Sequence, residues 1–140
     1  MSASVRLARE DDLPALQRLD RWPKERVWRH KIAGGEVLVL EQGGRVVGLV
    51  RYELLWTTVP FMSLIEIEPE HRGRGYSRLM LAFLKEHLKA QGRVALLSSS
   101  QTDEPAAQRW HLHMGFRSNG IIENVMDEGI GELVYVTGLE

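Results

Sequence analysis

Ile65-Glu66-Ile67-Glu68-Pro69-Glu70-His71-Arg72-Gly73-Arg74-Gly75-Tyr76-Ser77-Arg78 decides how this chain is read. Apolar residues alternate up to Pro69, which marks the exit from a strand. A glycine-rich basic turn follows and opens a long amphipathic helix. The first turn of a helix leaves backbone N–H groups unpaired and carries partial positive charge. Glycines let an anion approach that backbone closely, and arginines add full charges. A phosphorylated or pyrophosphorylated ligand is the natural guest of such a turn.

On the N-terminal side, Phe61 to Glu68 forms the strand that enters this turn. Glu36-Val37-Leu38-Val39-Leu40-Glu41 and Arg45 to Leu55 read as two earlier strands joined at Gly43-Gly44, a tight hairpin signal. Trp56 to Pro60 is their connection to the strand at Phe61, so three strands succeed one another as an antiparallel meander. Before them lie a short strand at Val5-Arg6-Leu7-Ala8 and a helix opened by Asp11-Asp12-Leu13-Pro14, with Asp as cap and Leu13, Leu16 and Leu19 as its apolar stripe. Trp22-Pro23 interrupts it. Val27, Trp28 and Ile32 mark a second helical piece that stops at Gly34-Gly35.

On the C-terminal side, the periodicity predicts a helix over 77–91, with Leu79, Met80, Phe83, Leu84 and Leu88 on one broad face and Gly92 beyond its end. Val94-Ala95-Leu96-Leu97 reads as a strand buried on both faces, and Ser98-Ser99-Ser100 after it either terminates the strand or orders water for a proton relay. Asp103-Glu104-Pro105 opens another helix, closed by Gly115-Phe116. Phe116 to Ile122 and Glu132 to Thr137 are two last strands, with residues 127–131 as the turn between them.

Composition narrows the possibilities. The 140 residues suit one domain spanning the whole chain, with 44% hydrophobic and 26% charged residues. A net charge of −1 gives no global field for nucleic acid. The absence of cysteine excludes disulfides, thiolate metal ligands and a catalytic thiol. No apolar run suffices to span a membrane, and the start Met1-Ser2-Ala3-Ser4-Val5-Arg6 lacks the apolar block of a signal peptide. A soluble, cytoplasmic protein without membrane or nucleic-acid partners is expected.

Three phosphate motifs compete for the glycine-rich turn. A Walker loop needs Gly-Lys-Ser or Gly-Lys-Thr, which is absent. A dinucleotide fingerprint needs a third glycine inside a βαβ unit, whereas Gly73-x-Gly75 leads to Ser77 and follows antiparallel strands. The third fits. The stretch resembles the acetyl-CoA-binding motif of the GCN5-related N-acetyltransferase (GNAT) superfamily: an apolar-x-apolar-x-Pro strand end, then Arg/Gln-x-x-Gly-x-Gly/Ala opening a helix. Ile65 to Pro69 and Arg72 to Ser77 match it, except that Ser77 replaces the last Gly/Ala. The likeness extends to Gly43-Gly44-Arg45-Val46-Val47-Gly48 and to Ala107-Gln108-Arg109-Trp110-His111-Leu112-His113-Met114-Gly115-Phe116, similar to the family's second motif.

The resemblance implies an α+β fold. It has a central mixed, mostly antiparallel sheet of about seven strands, splayed between strands 4 and 5 and flanked by about four helices. It implies acetyl-CoA as cosubstrate, no metal, a primary amine of a small molecule or peptide as acceptor, and a monomer or homodimer. The backbone of Ile65 and Ile67 would pair with the pantetheine arm. The Ile67 N–H would polarise the thioester carbonyl. Gly73, Arg74, Gly75, Tyr76, Ser77 and Arg78 would hold the pyrophosphate, with charge from Arg72, Arg74 and Arg78.

The chemistry also needs an attacking amine without its extra proton, although an alkyl ammonium has a pKa of about 10, and a stabilised thiolate. Many family members place a Tyr four residues before the Gly of Gly-Phe; here that position is His111, which can serve as acid or as base. His113 lies about 200° away around a helix and cannot share its face. Ser99 stands where some members have a basic Glu, and Glu104 where many have Asn. Glu66, alternating away from Ile65 and Ile67, is a candidate carboxylate acting through water. His30, His71 and His87 read as surface residues. Trp22, Trp28 and Trp56 lie near family positions that wall the acceptor cleft, and Glu123, Asp127 and Glu128 would suit a cationic amine. A non-catalytic CoA- or acyl-CoA-binding module, acting as sensor or docking domain, is the alternative to an enzyme.

Overall fold

The computed structural model describes residues 2–140, the side chain of Met126 excepted. Met1, the first residue of the start read as lacking a leader, lies outside them. Strand β1 (Ala3–Leu7) runs through a 3₁₀ turn (Glu10–Asp12) into helix α1 (Leu13–Leu19), and α2 (Glu25–Ala33) follows. The meander consists of β2 (Val37–Gln42), β3 (Arg45–Leu55) and β4 (Val59–Ile67). A 3₁₀ turn (Pro69–His71) leads to α3 (Tyr76–Ala90). Then come β5 (Ala95–Gln101), α4 (Pro105–His113), β6 (Arg117–Asp127) and β7 (Ile130–Gly138).

These strands form one sheet in the order β1-β2-β3-β4-β5-β7-β6. Neighbours are antiparallel except β4 and β5, which run parallel and pair only at Phe61↔Leu97 and Met62↔Ser98. This is the mixed, splayed α+β sheet that the resemblance implied. No helix among the described residues is long and apolar enough to cross a membrane.

Two cores sandwich the sheet. On one face, Met80, Leu81, Leu84 and Leu88 of α3 pack on Leu38, Leu40, Val50 and Met62, and the core continues to Leu96, Phe116 and Tyr135. On the other, Leu13, Leu16 and the fully buried Trp28 pack on Val37, Val39 and Leu49. Trp28 is therefore core, unlike Trp22 and Trp56, which are 84% and 80% exposed. The α3 stripe centres on Met80, Leu81, Leu84 and Leu88, leaving Leu79 and Phe83 partly exposed beside β1. Asp12 precedes α1 as a cap would. Its carboxylate, however, turns back to accept from Arg6 (2.8 Å) and from the Arg9 N–H (2.7 Å), and Arg6 holds it below the usual carboxylate range.

Two segments, β5 and the last hairpin, differ from the sequence expectation. The serine run does not end β5, which continues to Gln101. Nor is β5 equally buried on both faces: Leu96, Ser98 and Ser100 are buried while Leu97, Ser99 and Gln101 are half-buried. The last hairpin is longer, with Asp127 and Gly131 inside strands and only Glu128-Gly129 between them.

Candidate active site

The sheet opens because β4 bends away from β5. A register shift between Arg51 and Tyr52 places a bulge at Ser63 of β4, immediately after the last β4–β5 pair. Bulges bend a strand and end regular pairing. At that point the Ser98 hydroxyl lies 3.1 Å from the Met62 carbonyl oxygen.

Beyond Met62, β4 presents its backbone to the gap. The Glu68 N–H donates to Val47 O at 2.9 Å, and Gly48 lies opposite Ile67. Antiparallel alternation therefore turns the N–H and C=O groups of Ile67 and Ile65 away from β3, into the opening. Gly48 permits this close seating: a Cβ there would come within 2.7 Å of Ile67 Cδ1.

The opening is a cleft of about 950 Å³ that passes through the sheet. On the α3/α4 side its walls include Ile65, Ile67, Gly73, Gly75, Tyr76, Ser77, Trp110 and His111. On the α1/α2 side they include Trp22, Arg51, Ser63, Glu66, Ser99 and Glu132. Faces follow from alternation: Leu64 belongs to the α1/α2 core and Glu68 bonds Arg18 of α1, so Glu66 shares their side.

The glycine-rich turn forms the rim at the start of α3. Gly75 caps the helix at φ 79, a conformation only glycine adopts without strain, and a Cβ there would meet nothing within 4 Å. The turn is thus open space beside unpaired helical N–H groups. Trp110 Nε1 donates to Ser77 Oγ at 3.0 Å and ties α4 to this rim. Arg72 faces the cleft but is engaged: Nε donates to Ile67 O (2.9 Å) and Nη2 to Glu66 Oε1 (2.6 Å). Arg74 and Arg78 are exposed and lie off the cleft walls, Arg78 reaching His113 Nε2 at 3.3 Å.

His111 is buried on α4, stacked on Tyr135 at 4.3 Å. Its Nδ1 lies 2.8 Å from Ala107 O, which can only accept, so Nδ1 carries hydrogen. Nε2 lies 2.8 Å from Ser98 Oγ. Burial pushes the imidazole pKa down, against a smaller upward pull from the Ala107 carbonyl. The neutral ring therefore prevails at neutral pH, with Ser98 as donor to Nε2. Beside it, Ser100 Oγ and the Tyr135 hydroxyl are 2.7 Å apart.

Glu68 points away from the cleft, ion-paired with Arg18 (2.7 Å) and Arg45 (2.9 Å). His71 is half-buried with Nδ1 shielded from solvent, not a plain surface residue. Glu68, Glu70 and His71 group donor atoms within 4.8 Å, but Glu68 already neutralises two arginines.

Among the expected site residues, the fold brings Ile65, Glu66, Ile67, Arg72, Gly73, Gly75, Tyr76, Ser77 and His111 to one cleft. Glu123, Asp127 and Glu128 are not on its walls. Glu132 and Arg51 are there without having been singled out as chemistry. No local motif marks them: β3 and β7 bring them to the cleft from outside the β4–α3 segment.

The chain belongs to the acetyltransferase (GNAT) family, whose family model matches residues 5–116. No curated protein matches it in sequence. Among solved structures, an acetyltransferase of the GNAT family from Bacillus cereus ATCC 10987 is 25% identical, with a TM-score of 0.84 over 99% of this chain and 98% of that one. The ribosomal-protein-S18-alanine N-acetyltransferase from Escherichia coli is 19% identical, with a TM-score of 0.81 over 99% and 95%. The Salmonella typhimurium protein yncA, solved with its cofactor acetyl-CoA, is 17% identical, with a TM-score of 0.80 over 100% and 95%.

Proposed function

We propose that this protein is an acetyl-CoA-dependent N-acetyltransferase acting on a primary amine of a small molecule or peptide, by direct attack in a ternary complex. The observation that carries this reading is the cleft through the sheet, with a glycine turn and exposed β4 backbone on one side and a separate polar mouth on the other. A donor and an acceptor can thus enter from opposite faces and meet at the gap. The yncA structure, similar in fold, contains acetyl-CoA.

The residues fit the donor. Ile65 supplies backbone groups for an added strand of pantetheine amides, and the Ile67 N–H points where a thioester oxygen would gain charge. The N–H groups at Gly73, Gly75, Tyr76 and Ser77 suit a pyrophosphate. Arg74 and Arg78, which have no carboxylate partner among the described residues, can turn toward it, while Arg72 braces Ile67 and Glu66. His111 and Ser98 return a proton to the departing sulfur. In the imidazolium, the minor form at neutral pH, both ring nitrogens donate, Nε2 to Ser98, and burial makes that form the stronger acid.

The absence of cysteine leaves no route through an acetyl-cysteine. Release of CoA from acetyl-CoA, measured with spermidine, kanamycin, L-lysine and an alanine-terminated tetrapeptide, tests the proposal. Turnover with one of them supports it. Tight acetyl-CoA binding without turnover by any would favour a sensor or docking module instead.

A further inference from the structure

Direct attack requires a group that takes a proton from the acceptor ammonium. Among the described residues three carboxylates line the cleft: Glu66, Glu104 and Glu132. Glu66 is matched by Arg72 at 2.6 Å. Glu104 is exposed at the start of α4. Glu132 differs from both. It is half-buried, no cation pairs with it among the described residues, and its Oε2 is shielded from solvent without a hydrogen-bond partner.

Its position follows from register. Gln101 lies opposite Glu132 and Ser99 opposite Val134, whereas Ser98 lies opposite Tyr135. Ser98 and Tyr135 meet His111 on the α4 face. Glu132, Ser99 and Gln101 therefore share the opposite face, the side of Glu66 and Trp22. The donor machinery and Glu132 flank the gap from its two sides.

Resting on the reading above, we propose that Glu132 is the catalytic base for the acceptor: its carboxylate meets the incoming ammonium at the α1/α2-side mouth and takes its proton. The step balances. One N–H bond breaks and one O–H bond forms on Glu132, leaving a neutral amine whose lone pair makes the C–N bond as the C–S bond breaks. The second amine proton passes to water, and the departing sulfur takes one from the minor imidazolium form of His111 through Ser98; the ring takes a proton back from water, so the one proton released overall is that of Glu132. Glu132 then releases its proton to water.

The surroundings suit a base that is strong for a carboxylate. Burial raises its pKa, Ser99 of β5 opposes this, and Glu104 and Asp103 before α4 raise it further. Gln101 of β5 and Ile122 of β6, which lie opposite it, add no charge.

The test compares wild type, Glu132→Gln and Glu132→Asp with whichever of spermidine, kanamycin, L-lysine or the tetrapeptide wild type acetylates fastest. Glu132→Gln is expected to lower kcat/KM about 100-fold at neutral pH, in the range of general-base contributions. The deficit should shrink toward the amine's own pKa, because the free amine no longer needs the base, while acetyl-CoA affinity stays unchanged. Glu132→Asp should recover part of the rate. A readout independent of turnover is the Glu132 carboxyl ¹³C signal, which should titrate above free glutamate in the protein alone. An unchanged rate and pH profile in Glu132→Gln overturns this proposal alone. Wild type inactive with all four amines overturns it together with the parent reading.

Discussion

Ser98 Oγ lies 2.8 Å from His111 Nε2 and 3.1 Å from the Met62 carbonyl oxygen. A hydroxyl has one proton to give, so it serves one acceptor at a time. With neutral His111 it donates to the ring. With protonated His111 it accepts from Nε2 and donates to Met62, completing a chain from Ala107 to the gap. The serine thus reports the charge of a buried histidine to the point where β4 and β5 part.

If Ser98 and His111 move one proton together, Ser98→Ala and His111→Phe should each lower kcat by roughly 10- to 100-fold with nearly intact acetyl-CoA affinity. The double variant should be no slower than the worse single, as expected of residues acting as a unit. Steady-state kinetics across pH check this. Independent, multiplying losses would mean the pair is not a relay.

His111 also couples stability to pH. Its folded-state pKa lies below its ordinary value of 6.5, so its contribution is full above about pH 6.5. That contribution drains away as pH falls through the folded value, because the unfolded chain binds the proton first. Urea unfolding between pH 7.5 and 5.5 should show stability falling with acidity in wild type, and less steeply in His111→Gln. Equal slopes would place the dependence on other groups.

Glu132 has the opposite sign. Its folded pKa is raised, so its contribution is present below about pH 4.5, the ordinary value, and is lost as pH rises through the folded value. An ionised Glu132 is therefore a cost at neutral pH, and Glu132→Gln should raise the melting temperature at pH 7 with a smaller gain at pH 4. A merely structural carboxylate would lose stability on the same change.

At Gly75, two substitutions separate strain from occlusion. Gly75→Ala places a Cβ at positive φ in open space and should cost about 1–2 kcal/mol of stability. Gly75→Glu adds bulk and negative charge where a pyrophosphate would sit, and should abolish acetyl-CoA binding by calorimetry in a protein that still folds. Retained affinity would move the donor elsewhere.

Much of this was readable along the chain because it is local. Gly43-Gly44 set the β2–β3 hairpin, Pro69 ended β4, and the spacing of Met80, Leu84 and Leu88 marked α3. What escaped depends on partners far away in the chain. Three serines look like a strand end until Ser98 finds His111 and Met62, and Ser100 finds Tyr135. Trp28 resembled a rim residue until α2 folded it onto Leu49. Glu132 sits where a strand was expected to begin, and only the β5–β7 register brings it to the cleft.

The most direct measurement is CoA release by the wild-type protein with acetyl-CoA and the four amines, run beside acetyl-CoA binding by calorimetry. The account predicts saturable binding and amine-dependent CoA release with at least one of them, with both substrates bound before the first product leaves. Binding with no release above the amine-free rate for any of the four would contradict it.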